Sequence, residues 1–405
     1  MAATHSDADE TADVVVIGGG NAGISAAARL IRRGITDVTV VEPQAVHTYR
    51  PLLSYVGGGQ ATMRSAERTQ RSVTPKGCTW VRDHAVAVDA VERVVRCASG
   101  RSLRYRDLVL ATGLVPDGDA LPGIAAAMDS PAVTSNYLDA AEKTWNLVQR
   151  MPAGGHAIFT VPRPPVSCTG TTVKPLFLAA AHWKRTGRLP WIEITMLVDR
   201  PRILDAPDLD VKIRRELREL GVRVMCDTAV TGLFPDEHHI TATDRRDGTV
   251  RPLSYDLLHL VPPFRGPQWL VTSGLATDEG LGLADVDPRT FRHRTHANVW
   301  AAGDGATVET DPSGGALRRQ IAILVDNVVA ARGGAAATAE YDGYTVAPIA
   351  TDAHHLIPGE FTRSGALASP LPRFMDPVKS RRSAWAFDRH GLPQIYWNLL
   401  LRGRL

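Results

Sequence analysis

Gly18-Gly19-Gly20-Asn21-Ala22-Gly23 stands between the short apolar run Val14 to Ile17 and the apolar-periodic stretch Ile24 to Ile31. That order reads as strand, tight turn, helix. In such a turn Gly18 permits the sharp change of direction, Gly20 lets backbone approach a pyrophosphate, and Gly23 lets the helix pack on the strand. The helix N-terminus then faces the phosphates. Glu42 ends a second β-rich run, Asp37 to Val41, 19 residues after Gly23. A carboxylate there accepts hydrogen bonds from both ribose hydroxyls of an adenosine.

Working outward, Asp107 to Ala111 is a third β run, and neither it nor Asp37 to Val41 alternates, so both read as buried parallel strands. A second unit starts near His156, with a strand to Val161, a helical segment around Lys174 to Lys184 and a strand from Ile192 to Val198. From Asn298 to Asp304 the chain returns to a strand, and Ile321 to Ala331 reads as the helix after it. The expected fold is α/β, with two Rossmann-like doubly wound nucleotide-binding domains and a C-terminal cap or interface region. An FAD-type nucleotide domain is expected over 1–150 and 291–335, the second domain over 151–290, and the cap over 336–405.

Two further motifs select FAD over NAD. Ala111-Thr112-Gly113 follows a buried strand, and the apolar strand within Thr295 to Asp304 ends in Gly303-Asp304. An Asp there can bond a ribityl hydroxyl, while the next helix N-terminus faces the electron-rich end of the isoalloxazine. The second unit lacks a glycine fingerprint: its strand runs into Pro162-Arg163-Pro164-Pro165, and prolines remove the amide donors that would cradle phosphate. NAD(P)H is therefore not expected there; Asp199, ending the next strand, could mimic a ribose-binding acid but reads rather as a solvated loop residue.

Cys168 lies between that unit's first strand and its helix, with Lys174 one to two turns on. Amide donors, a helix dipole and a cation at such a place can lower a thiol pKa, which makes Cys168 the candidate catalytic nucleophile. Cys78, Cys97 and Cys226 sit in strand-like contexts and read as packing residues. The histidines show no metal-ligand spacing; His47, His354 and His355 read as exposed or hydrogen-bonded. The 405 residues carry 46 basic against 43 acidic side chains, too balanced for a nucleic-acid partner. The leader Met1 to Ala12 has no basic stretch followed by an apolar core, which points to the cytoplasm. No apolar run approaches the roughly 20 residues of a membrane-spanning helix, leaving at most peripheral membrane contact.

These residues, together with Val41-Glu42-Pro43, His47-Thr48-Tyr49-Arg50-Pro51, Glu142-Lys143-Thr144-Trp145, Cys168-Thr169-Gly170, Ser254-Tyr255-Asp256-Leu257-Leu258-His259, Tyr341-Asp342-Gly343-Tyr344-Thr345 and Tyr396-Trp397-Asn398, resemble the sulfide:quinone oxidoreductases, in particular the animal mitochondrial type. The similarity spans nearly the whole chain. It implies a flavoprotein in which sulfide attacks a sulfur bridge near FAD, the released thiolate reduces the flavin and a quinone reoxidises it. By resemblance Cys168 is the cysteine that engages the flavin. Asn21, Ala22, Glu42, Arg50 and Ala85 occupy FAD-contact positions, and Gly314 and Gly315 lie near the flavin ring.

The chain also departs from the family. Ala347 stands where the resemblance places the second redox cysteine, no cysteine follows Cys226, and Pro312 replaces a lysine near the flavin. Without a partner Cys168 cannot form the family's bridge unless Cys226 lies close. The chain stops at Leu405, where membrane-bound relatives continue into an amphipathic tail, which points to a soluble protein with weakened access to membrane quinone. The expected function is a diverged FAD-dependent two-electron oxidation of a sulfur-containing or other small substrate through Cys168. The alternatives are sulfide oxidation by a single-cysteine route, tailoring of a small molecule at the flavin alone, and a flavin-binding sensor or scaffold that never turns over.

Overall fold

The computed structural model describes residues 10–277, 281–368 and 376–405. The leader up to Asp9 and the proline-containing stretch 369–375 fall outside them.

Four parallel strands form the body of the first sheet, in the order Cys78–Val81, Val38–Val41, Glu10–Ile17, Ser102–Leu110. Val14, Val15, Val16, Val38, Val40 and Val41 are buried, as a parallel sheet covered on both faces requires of β-branched residues. Along its other edge the strand Ser102–Leu110 serves two further partners. Its first half pairs antiparallel with Val94–Cys97, and its last three residues pair parallel with Val299–Ala301. The register aligns Ile17 with Val41 and Leu110, Val41 with Val81, and Ala301 with Leu110, so the carboxyl ends of these strands share one edge. In open α/β sheets that edge holds the ligand crevice.

The helix Asn21–Arg32 buries Ile24, Ala26, Ala27 and Leu30 and packs on the helix Leu317–Arg332. The latter starts four residues before the apolar stretch at Ile321. Ser313 accepts from the Ala316 amide just ahead of its polar first turn.

The second sheet is wholly parallel, in the order Val133–Thr134, Leu257–His259, His156–Val161, Glu193–Val198, Arg223–Cys226. Its helix runs over Thr169–Arg185, longer than the periodic segment by a polar first turn. A three-stranded antiparallel sheet, Thr228–Phe234, His239–Asp244 and Val250–Ser254, extends this half. After Tyr341 come two short antiparallel pairs, Thr345–Val346 with Glu360–Phe361 and, nested between them in sequence, Ile349–Ala350 with Leu356–Ile357. The helices Arg382–Ala386 and Leu392–Asn398, joined by the π-helical turn Phe387–Gly391, complete the cap. One core runs through both sheets into the cap and takes in Tyr341, Ile349, Tyr396 and Leu401. Among the described residues no helix is long and apolar enough to cross a membrane, and no His, Cys, Asp and Glu group is placed to hold a metal ion.

Candidate functional site

A cavity of about 600 Å³ opens at the carboxyl edge of the first sheet, beneath the cap. Three helices begin at its wall: Asn21–Arg32 after Gly20, Thr169–Arg185 after Cys168, and Leu317–Arg332 after Gly314 and Gly315. Unmatched amide donors at helix starts favour anionic or electron-rich groups. From the first unit, Asn21, Ala22, Arg50, Gly113, Gly303 and Asp304 complete that side of the wall.

The glycines of the first turn divide their work as the spacing suggests. Gly18 has φ +103°, and a Cβ there would sit 2.2 Å from the Ala111 oxygen. A Cβ on Gly23 would sit 1.8 Å from the Gly18 oxygen, which is how close helix and strand come. A Cβ on Gly20 meets nothing within 4 Å, so that face is bare backbone turned to the cavity. Glu42 lies behind the turn, its carboxylate accepting from the amides of Gly19 at 2.6 Å and Gln44 at 2.8 Å. Ala85 begins the strand Ala85–Asp89, opposite Cys97, and does not line the cavity.

Asp304 follows the positive-φ Gly303 at the end of the strand Val299–Ala301. Burial raises its carboxyl pKa, while a hydrogen bond from Ser167 and the Arg50 charge oppose the shift. Arg50 donates to the Tyr137 carbonyl, and the Tyr137 hydroxyl donates to the carbonyls of Ser167 and Cys168. Tyr137 thereby holds the loop carrying Cys168 against the first unit.

Cys168 is buried, lies at φ +57°, and its thiol donates to the Val346 carbonyl at 3.6 Å. The expectation of a lowered thiol pKa is overturned. Burial pushes it up to about 12, the charge of Asp311 adds to the rise, and Thr171 and Lys174 oppose it only in part. Asp311 occupies the helix start that was expected to serve the sulfur, accepting from the Thr169 amide at 3.2 Å and the Thr169 hydroxyl at 2.7 Å. Lys174 is spent on another acid, pairing with Asp388 at 2.8 Å. The Asp311 carboxyl is itself raised to about 6 by burial.

These directions set a pH signature. Asp311→Asn removes the repelling charge, so Cys168 reacts with iodoacetamide roughly tenfold faster at pH 8 for each unit by which its pKa falls. Below about pH 6 the wild-type carboxyl is already neutral, and the two rates converge. Equal rates across the whole range, read by mass spectrometry of the Cys168 peptide, would remove Asp311 from the account.

Ala347 is fully buried, and its Cα and Cβ lie 2.7 and 2.8 Å from where a Gly170 Cβ would stand. The position expected to hold a second sulfur is therefore beside the Cys168 loop and carries a methyl group. Cys226 ends the strand Arg223–Cys226 at the edge of the second sheet and accepts from Arg214 at 3.2 Å, and all four cysteines are free. Pro312 presents its carbonyl to the Cys168 amide at 2.7 Å.

At the corresponding edge of the second sheet the space is only about 50 Å³. Asp199 is not the solvated residue expected: its side chain is 11% exposed and pairs with both Arg163 and Arg245. The acid that could meet a ribose is thus occupied, in a crevice too small for a dinucleotide.

Sequence reading missed Tyr137, Asp311 and Asp388. His47 is hydrogen-bonded, as read, but its partners are the Gly19 carbonyl and the Tyr396 hydroxyl. Proximity of the Tyr396 segment to the glycine turn carried no local signal.

The family profile described as pyridine nucleotide-disulphide oxidoreductase matches residues 12–343. The mitochondrial sulfide:quinone oxidoreductase of Mus musculus is 31% identical over 395 residues, 96% of this chain and 86% of that protein. Its Dictyostelium discoideum counterpart is 29% identical over the same shares. Among solved structures, the sulfide:quinone oxidoreductase of Aquifex aeolicus superposes with TM-score 0.77 at 18% identity, covering 98% of this chain and 92% of that one. A chain of the Tetrahymena thermophila mitochondrial ATP synthase shares the fold, with TM-score 0.84 at 19% identity and coverage of 99% and 98%. The chain belongs to the pyridine nucleotide-disulphide oxidoreductases and, within them, to the sulfide:quinone oxidoreductase family of flavin oxidoreductases.

Proposed function

We propose that the protein binds FAD along the cavity, takes two electrons from a small sulfur-bearing substrate engaged by Cys168, and passes them to a quinone-class acceptor. The observation that carries this reading is the position of Cys168, which shares one cavity wall with Gly20, Asp304 and Gly314. The residues fit the cofactor. Bare backbone at Gly20 can meet a pyrophosphate, Glu42 keeps lone pairs for a ribose, and Asp304 can bond the ribityl chain. Gly314 and Gly315 leave the start of the helix Leu317–Arg332 facing the ring. Bound there, a flavin supplies a two-electron sink beside the sulfur.

The chain's own residues hold Cys168 as a neutral thiol, oriented by Val346 and Tyr137. Attack by that sulfur therefore needs its proton removed against burial and Asp311. This favours a second reading, in which the substrate reacts at the flavin alone and Cys168 only shapes the wall. Anaerobic titration of the holoenzyme with sulfide, followed by visible absorption, separates the two. Sulfide-dependent bleaching or a long-wavelength band lost in Cys168→Ser, with oxidised flavin restored by a soluble quinone, supports the first reading. Identical spectra for wild type and variant end it, and absence of any response moves the substrate search to organic donors.

A further inference from the structure

A buried charged cluster in the cavity wall has no part in the reading above. Asp388 lies in the π-helical turn Phe387–Gly391, lines the cavity, and has a side chain 7% exposed. Its Oδ2 accepts from Lys174 Nζ at 2.8 Å and from the Tyr55 hydroxyl at 2.6 Å. Lys174 is 0% exposed and stands in the helix that Cys168 begins. Its ammonium lies 5.1 Å from the Tyr55 ring centre, with the Arg389 guanidinium 5.8 Å from the same ring. Tyr49, its ring 4.4 Å from that of Tyr396 and tilted by 39°, feels the Asp388 charge as well.

Burying such a pair costs desolvation that apolar side chains of the same volume would not, so it is weak as a stabilising device. Lys174 and Tyr55 lie behind the wall, and Asp388 brings the pair to the cavity, which is what needs explaining. The turn carrying Asp388 also separates two spaces. Asp388 faces the cavity, while Arg389 and His390, with Arg68 and Trp397, line an open groove of about 420 Å³. π-Helical turns recur at functional sites because they displace one side chain from the regular helical array.

We propose that Asp388 is the proton-exchanging residue for the electron acceptor, with Lys174 holding the proton at rest and Tyr55 fixing the carboxylate. The proposal rests on the quinone-class reading given above. A quinone takes up two electrons and two protons. A quinone that has received both electrons and one proton, which a bound reduced flavin would supply, has one oxygen left negative. Asp388 hands that oxygen the second proton, drawn from the Lys174 ammonium. The pair then has one proton fewer and regains it from solvent on the groove side.

The test uses photoreduced holoenzyme mixed anaerobically with either a short-chain soluble quinone or ferricyanide, which accepts electrons without protons. Asp388→Asn is expected to slow reoxidation by quinone about 100-fold, while ferricyanide reoxidises it as before. Because that variant leaves Lys174 buried without its acid, the double variant Lys174→Met, Asp388→Asn is measured beside it. The double variant remains slow if Asp388 exchanges protons and recovers if Asp388 only neutralises Lys174. Recovery, equal slowing with both acceptors, or an unaltered quinone rate each overturns the proposal. If wild type is not reoxidised by quinone, the quinone reading fails by itself. Asp388 is then judged by proton uptake during photoreduction, followed with an indicator dye in weak buffer. Slower uptake in Asp388→Asn sustains the assignment, and unchanged uptake overturns it.

Discussion

Ala347→Cys gives the protein a sulfur bridge and, with it, rapid bleaching by sulfide. The Cys168 sulfur lies 3.6 Å from the Val346 carbonyl oxygen, and the Ala347 side chain packs at Gly170, two residues beyond Cys168. A thiol added there stands beside the Cys168 loop, where a bridge to Cys168 is expected to form. The bridge closes a loop of well over a hundred residues, for which chain entropy alone gives about 4 kcal/mol or more of stabilisation. It also supplies an electrophilic sulfur, so the buried thiol no longer needs to ionise before sulfide can attack. The variant carries five cysteines, and after mild oxidation three titrate as free thiols, against four in wild type. Five free thiols after oxidation, or a bridge that leaves the sulfide response at the wild-type level, would mean that the missing sulfur is not what separates this chain from its relatives.

The second large effect contrasts two glycines three residues apart. Gly23→Ala places a methyl carbon 1.8 Å from the Gly18 oxygen, with backbone on both sides, so the helix must move away from the strand. The expected loss of stability reaches or exceeds the roughly 3 kcal/mol of ordinary overpacking, and flavin is lost with it. Gly20→Ala does the opposite. Gly20 has φ −73°, and its new methyl meets no protein atom within 4 Å, so the chain folds with wild-type stability. That methyl occupies the space where a pyrophosphate would approach, and the protein purifies with little or no flavin. Thermal unfolding and flavin content, measured on both variants, decide the matter. A yellow Gly20→Ala protein would place the phosphates elsewhere.

What could be read in the sequence was what is written in consecutive residues. Gly18 to Gly23 carry their reasons locally: a turn, a bare face and a close packing contact are properties of six adjacent positions. The valine-rich strands announced a sheet covered on both faces for the same reason. Cys168 was found by position, but the direction of its pKa was misread because burial decides it, and the charge that adds to the rise, Asp311, is 143 residues further along the chain. Lys174 was assigned to the sulfur because it is six residues away in sequence, whereas its partner Asp388 is 214 residues away. Asp199 was read as solvated because Arg245 arrives from a different sheet. Periodicity reports which face of an element is buried, and it does not report which charge is buried beside it.

The His47 bridge joins two parts of the chain that local reading keeps apart. Burial keeps its ring neutral, with Nδ1–H donating to the Gly19 carbonyl and Nε2 accepting from Tyr396, while Arg29 holds the Leu405 carbonyl at 2.8 Å. The Tyr396 segment therefore reaches, through His47, the glycine turn that would receive the phosphates. Linkage makes such an arrangement reciprocal: whatever factor the docked tail adds to cofactor affinity, the cofactor returns to the tail. Tail opening, followed by hydrogen exchange at Tyr396 to Leu401, would then serve as an occupancy gauge for the glycine turn.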